Sequence, residues 1–464
     1  MTYREFLESK IETVPESGFE KNKDDMNRNL FEWQKDIVHW ALKRGKAALF
    51  EDCGLGKTIQ SLEWAESVFH FTKKPVLIIC PLAVAEQTKS EGEKFGYTTY
   101  IVRNKEEVQN GINITNYEIL NHFDVSVFSG VVLDESSILK NYSGKTKNEI
   151  ISLFQSTPYK LSCTATPAPN DYMELGNQSE FCGIMSRNEM LATYFVHDGG
   201  ETSKWRLKGH AKDKFWEWIA SWAVILTKPS DLGYSDNNYQ LPPLNITQQI
   251  VKAENNIIDD NYSLFPQIAS TLNERRTARR NSLKKRCEIA NGIIKQFGNE
   301  QCMIWCDLNN EADELKRIIP SSVEVRGTDN PEIKAKRLNG FASGEIQILI
   351  SKPSIAGYGM NWQNCHNVIF VGLSDSFEMY YQAIRRFWRF GQKEIVNVYI
   401  ITSEAEGAVK ENIERKERQA KKMIKEMVQY TREILKREIK GTSRISISYN
   451  PNIKMVIPSW VNSI

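Results

Sequence analysis

The sequence of 464 residues predicts an α/β fold of two parallel-sheet lobes with helical insertions between them, and three observations carry that prediction. Apolar runs of strand length alternate with helix-like stretches over residues 30–170. The alternation breaks over 171–240, which ends at the proline pair of Leu241-Pro242-Pro243-Leu244. A second series of strand-length runs begins at Cys302. Apolar runs separated by helices build parallel sheets covered on both faces, and paired prolines stop a helix and stiffen a connection.

Residues 1–29 are polar and read as a lead-in, with a charged stretch from Glu20 to Asp25. The first lobe, 30–170, opens with helical periodicity from Phe31 to Lys43. A short apolar run, Ala47 to Phe50, then leads into Gly54-Leu55-Gly56-Lys57-Thr58 and another helix-like stretch. Strand candidates follow at Val76 to Cys80, Gly111 to Asn116, Val131 to Asp134 and Lys160 to Ala165. Residues 171–297 read as a helical insertion and linker, with a basic run from Arg275 to Arg286. The second lobe, 298–403, has strand candidates at Cys302 to Cys306, Ser322 to Arg326, Ile346 to Ser351, Val368 to Gly372 and Val396 to Thr402. A long, charged helix candidate and a tail occupy 404–464. No internal repeat is visible, so the two lobes would be alike in fold only.

Composition narrows the function. The 60 basic and 58 acidic side chains nearly cancel, so bulk charge does not hold this chain to nucleic acid. Any binding surface must come from local clustering. The eight cysteines form no C-x-x-C pair and several sit in apolar runs, which reads as buried thiols in a reducing compartment. A zinc site from Cys182, His197 and His210 would lack a recognised spacing. No secretory leader and no apolar run of membrane-spanning length is seen, so the expectation is a soluble, intracellular protein with no membrane partner.

The chemistry lies in motifs at strand ends. Gly54 to Thr58 follows a strand candidate and opens a helix, where a phosphate-binding loop must sit. Glycines let backbone N–H groups crowd around phosphates, and the helix N-terminus adds its positive dipole. Lys57 would reach the β and γ phosphates of ATP, and the Thr58 hydroxyl would ligate Mg²⁺. The strict loop pattern is not met, because Glu51 occupies its first glycine position. Val131 to Glu135 is an apolar strand ending in two carboxylates. Asp134 would hold Mg²⁺ and Glu135 would polarise the attacking water. A third stretch, Leu161 to Pro167, runs from a strand into hydroxyl residues. In a fourth, Gln382, Arg386 and Arg389 recur at helical spacing and share a helix face, with Phe387, Trp388 and Phe390 interleaved. Arginines held in place by packing suit phosphate contact.

In this order the motifs resemble those of superfamily-two helicases, and within them the SWI/SNF-type ATPases, over about Leu30 to Arg418. The resemblance implies two RecA-like lobes, with ATP and Mg²⁺ bound between them. It implies that Gln34 reads adenine, and that Pro81 and the stretch Ile114 to Glu118, with Asn116 and Tyr117, lie near nucleic acid. Ile355 to Asn361, including Gly359, matches motif V, and Gln382 to Gln392 matches motif VI. By the family pattern, Arg386 and Arg389 reach the γ-phosphate. Ser351 and Lys352 are counted with the nucleic-acid residues. Three departures stand out: Ser136-Ser137 where the family has Ala-His, Ala165 where it has glycine, and Ser374 to Phe377 where it often has Asp-Trp-Asn-Pro. The compact form resembles stand-alone ATPases of phage and prophage genomes, which implies the cytoplasm of a bacterial or phage-infected cell.

The resulting expectation is a translocase that couples ATP hydrolysis to movement along double-stranded DNA, with replication, recombination or repair proteins as possible partners. A strand-separating DNA or RNA helicase and an ATP-gated scaffold are the alternatives. Trp205, Trp216, Trp218 and Trp222 would supply a wedge in the second reading, although their spacing favours a helix core. Arg279 and Arg280, in a run without acidic neighbours in sequence, are candidates for DNA phosphate contact.

Overall fold

The computed structural model describes residues 16–140, 144–198, 201–236, 239–251, 280–357, 360–374, 376–403 and 407–440. The strands, in chain order, are β1 (Lys46–Glu51), β2 (Val76–Cys80), β3 (Thr99–Ile101), β4 (Ile112–Asn116), β5 (Gly130–Asp134) and β6 (Tyr159–Thr164), then β7 (Phe195–Asp198), β8 (Glu201–Leu207), β9 (Ala223–Leu226) and β10 (Leu244–Val251). The remainder are β11 (Cys302–Cys306), β12 (Val323–Glu324), β13 (Ile348–Ser351), β14 (Asn367–Val371) and β15 (Val396–Ser403). Two parallel sheets result, with orders β3-β4-β2-β5-β6-β1-β9 and β10-β15-β14-β11-β13-β12. Central strands such as β2, β11 and β14 are buried along their whole length. That is why they read as unbroken apolar runs rather than alternating ones.

Parallel pairing puts every strand's C-terminal end on one edge of its sheet. Glu51 at the end of β1 and Asp134 at the end of β5 therefore lie on the same edge, with β6 between their strands. The loop after β1 enters the helix Lys57–Thr72, whose buried face packs on that sheet. Binding sites in open α/β sheets gather at such carboxyl ends.

The stretch 171–240, read as helical, holds the helices Leu175–Cys182, Arg187–Tyr194 and Lys212–Ala220. It also contains the β7–β8 hairpin and β9, which pairs with β1 and extends the first sheet. A four-residue strand such as Ala223–Leu226 has no sequence period of its own; its partner decides its conformation. Trp216, Trp218 and Trp222 are core residues, as their spacing favoured, whereas Trp205 on β8 lies tilted against His197 across the hairpin with centroids 3.6 Å apart. Cys182 donates its thiol to the Ala47 carbonyl at 3.6 Å. Seven of the eight cysteines are buried; Cys53 is half-buried.

Beyond the proline pair, β10 joins the second sheet through β15, and the helix Leu283–Ile294 packs on it. The helix Gly407–Lys440 leaves the second lobe and returns along the first: Ala420 is buried in the second lobe's core, Met427 against the insertion, and Leu435 and Ile439 in the first lobe's core. No helix among the described residues is long and apolar enough to cross a membrane.

Candidate active site

The loop between β1 and the helix Lys57–Thr72 is shaped by two glycines that only glycine fits. Gly54 and Gly56 have φ of 88° and 83°. A Cβ on Gly56 would stand 2.4 Å from Gln34 Nε2, and one on Gly54 3.0 Å from the Phe390 nitrogen across the cleft. The loop is thus pressed from below by the first lobe and from above by the second.

Gln34 is buried, accepts from the Phe31 N–H at 2.9 Å and donates to the Leu55 carbonyl at 2.8 Å. Its amide braces the loop, and each amide atom keeps one further hydrogen-bonding valence. Lys57 Nζ donates to the Glu51 and Asp52 carbonyls at 2.8 and 3.1 Å. Those neutral acceptors hold the ammonium beside the loop that opens its helix.

At the end of β5, two strands from β1, burial first and the Glu135 charge second push the Asp134 carboxyl up to about 7, against the pull of Lys57. Its Oδ1 accepts from the Glu135 N–H at 3.1 Å. Glu135 has φ of 54°, the left-handed region that costs a non-glycine residue ~1–3 kcal/mol. The turn aims its carboxylate at the second lobe. There Arg386 Nη2 lies 3.5 Å from Glu135 Oε1, and Gln382 Nε2 donates to Oε2 at 3.4 Å. Arg386 is held in turn by Gln382 Oε1 at 2.7 Å and the Gly357 carbonyl at 2.9 Å. Burial, with the Arg386 charge beside it, holds the Arg389 guanidinium below its ordinary value. Its Nε has no hydrogen-bond partner among the described residues.

Gln34, Gly54, Gly56, Lys57, Thr58, Asp134, Glu135, Arg386 and Arg389 line one cavity of about 390 Å³, and Leu55 is buried beside it. Gln382 is buried behind the arginines. Gly359 lies outside the described residues. The residues expected at nucleic acid divide. Tyr117 is buried and donates its hydroxyl to the Asp134 carbonyl at 2.6 Å, so it struts the acidic turn instead of facing solvent. Ser351 is buried and donates to the Val325 carbonyl at 3.0 Å, which closes it to an outside partner. The Asn116 side chain accepts from the Glu118 N–H at 3.0 Å, while Pro81 and Lys352 are half-buried. Arg280 is exposed and Arg279 lies outside the described residues. Arg286, from the same basic run, is fully buried in an ion pair with Glu311 at 2.7 Å.

Sequence reasoning missed contacts, at the site and across the cleft beside it, between residues far apart in the chain. Tyr239 donates to the Gly54 carbonyl at 2.8 Å and stacks on Phe390 with centroids 4.7 Å apart. Glu378 of the second lobe pairs with Lys140 and accepts from Thr166 at 3.4 Å. Arg385 pairs with Asp52 at 2.9 Å. No short-range pattern marks such pairs; the adjacent arginines at 385 and 386 were the nearest signal.

Residues 33–187 match the model of the SNF2-related domain, and residues 285–391 match that of the helicase conserved C-terminal domain, together more than half of the chain. The chain belongs to the SNF2-type ATPases. Among relatives of this SNF2-type core is "SWI/SNF-related matrix-associated actin-dependent regulator of chromatin subfamily A-like protein 1" of Xenopus tropicalis, 25% identical over 36% of this chain and 19% of that protein. Human "TATA-binding protein-associated factor 172" is 22% identical over 81% of this chain and 27% of its own length. The chain thus spans a fifth to about a quarter of these two relatives. "Putative protein p41" of Acyrthosiphon pisum secondary endosymbiont phage 1 is 22% identical over 76% of this chain and 87% of that protein. A solved "Sulfolobus solfataricus SWI2/SNF2 ATPase core in complex with dsDNA" is 19% identical, with a TM-score of 0.42 over 82% of this chain and 89% of that one.

Proposed function

We infer that this SNF2-type core is a DNA-stimulated ATPase that moves along double-stranded DNA. The observation that carries the reading is the convergence of Glu135 from one lobe and Arg386 from the other, 3.5 Å apart in a single cavity. Neither lobe alone holds both a base and a cationic clamp, so hydrolysis requires the two together. The names of the relatives, chromatin regulators and TATA-binding-protein factors, support DNA as the polymer that drives them together.

Lys57 and the loop N–H groups would bind the phosphates of ATP as Lys57 leaves its two backbone carbonyls. Thr58 and Asp134 line the same cavity and would supply hard oxygen ligands to Mg²⁺. The ion would neutralise phosphate charge. Glu135 would accept a proton from the attacking water as the bond to the γ-phosphorus forms and the β–γ bridge breaks, leaving ADP and phosphate. The γ-phosphate competes with Glu135 for Arg386, which frees the carboxylate to act as base. Arg389, whose Nε has no hydrogen-bond partner among the described residues, would meet the same charge.

Phosphate release measured with duplex DNA, single-stranded DNA and RNA tests this reading. Duplex should stimulate at least as well as single strands, and a bound triplex strand should be displaced without bulk unwinding. Stimulation by RNA alone would overturn the translocase reading. The His197–Trp205 pair on the β7–β8 hairpin favours a second reading, strand separation; unwinding of a blunt duplex that is lost in Trp205→Ala would establish it.

A further inference from the structure

The segment that carries the motif VI arginines works on two sides. Gln382 and Arg386 face Glu135, whereas Tyr381 and Arg385 face the start of the phosphate loop. Arg385 Nη2 stands 2.9 Å from Asp52 Oδ2 and donates to the Cys53 carbonyl at 2.6 Å. Tyr381 donates its hydroxyl to Asp52 Oδ1 at 2.7 Å, and that oxygen also accepts the Cys53 N–H at 2.7 Å. The Arg385 side chain is 3% exposed, with its guanidinium 5.0 Å from the Trp388 ring centre and 5.9 Å from that of Tyr381. Asp52 and Cys53 come just before Gly54, and Arg385 just before Arg386.

We propose that Arg385 and Tyr381 are positioning residues that latch the phosphate loop to the second lobe through Asp52, so that the loop and the motif VI arginines are set in place by the same closure. The proposal rests on the ATPase reading above. Neither side chain reaches the acidic pair; they act through Asp52 and Cys53 on one side and through Arg386 on the other. A buried charge that loses its partner is strongly disfavoured. The contact is therefore made as a unit when the lobes meet and given to water when they part. ATP binding draws mainly on the first lobe, whereas hydrolysis needs both. Loss of the latch should consequently lower kcat more than it raises KM.

The test is DNA-stimulated hydrolysis by wild type, Arg385→Gln, Asp52→Asn, the double variant and Tyr381→Phe. Each of the first two singles should lower kcat by roughly tenfold with KM for ATP within about twofold of wild type. The double variant should be no slower than the slower single, because both remove one interaction. Tyr381→Phe keeps the ring and should show a smaller fall in kcat in the same direction. Multiplying losses in the double variant, or a wild-type kcat in Arg385→Gln, would overturn the latch. If Arg385→Gln melts too early to assay, Tyr381→Phe decides alone: unchanged kcat refutes the proposal, and lowered kcat at constant KM supports it. Failure of the ATPase reading itself looks different, since wild type would then release no phosphate.

Discussion

Lys57 and Glu135 sit in one cavity, and in the proposed reaction they serve different moments, so their variants should separate accordingly. Lys57→Ala should abolish productive ATP binding, read by fluorescent-nucleotide titration, because the point charge on the phosphates is lost. Glu135→Gln should bind ATP normally and hydrolyse it at least ~100-fold more slowly, the loss expected when a general base is removed. Near wild-type turnover in that variant would end its assignment as the base. Glu51, beneath the loop, offers a pH test. Burial pushes its carboxyl from the usual 4.5 up to about 7, with Lys57 and Gln60 opposing. The fold therefore prefers the protonated acid. The stability tied to that proton is fully present below about 4.5 and is lost as pH rises through about 7. Glu51→Gln is neutral throughout, so its melting temperature should fall less than that of wild type between pH 5 and pH 8. A gain of up to about 3 kcal/mol at the upper end follows from the size of the shift. Parallel pH curves for the two proteins would remove Glu51 as the source.

The helix Leu283–Ile294 shows how an element redistributes the residues of a charge run. From Arg275 to Arg286 no acid interrupts the sequence, yet the fold sets Asp313 and Glu314 of the helix Asn309–Ile318 around the groove that Arg280, Lys284 and Lys285 line. Inward-facing Arg286 donates to Glu311 at 2.7 Å and to the Val371 carbonyl at 2.9 Å. Arg286→Ala should cost ~3–5 kcal/mol of stability in denaturant unfolding, because Glu311 is left as a buried, unpaired charge. Arg280→Ala should leave stability unchanged and lower the salt slope of DNA binding by about one unit if it meets a phosphate. An unaltered slope would assign the exposed arginine to solvation. The periodicity of the run was legible in sequence; which arginine faced inward was not, because the acid that receives it lies 25 residues further along the chain.

Across the whole molecule, the helix Gly407–Lys440 straps the second lobe to the first. Tyr430 stacks on Trp216 with centroids 5.9 Å apart and planes 4° from parallel, Glu426 accepts from Tyr172 at 2.8 Å, and Glu438 pairs with Arg44 at 2.5 Å. These contacts join segments more than two hundred residues apart. Leu435, fully buried against the first lobe, should cost ~2–5 kcal/mol when cut to alanine, measured by thermal or denaturant unfolding. A loss below about 0.5 kcal/mol would mean that the strap carries no stability at this end.

The amino-acid sequence by itself determined the two parallel sheets, the glycine-rich loop that opens the helix Lys57–Thr72, and the two acids at the end of β5. Each is a local signal: a strand buried on both faces must be apolar throughout, and a loop that crowds N–H groups around phosphate must be glycine-rich. The same locality explains the face shared by Gln382, Arg386 and Arg389, which follows from helical spacing alone. Only the tertiary structure decided what those side chains meet. It turned Tyr117 and Ser351 inward, recruited Tyr239 beneath the loop, paired β9 with β1, and joined Arg385 to Asp52 across the cleft. Each of these depends on a partner far away in the chain, and burial and charge pairing are satisfied in space rather than along the sequence.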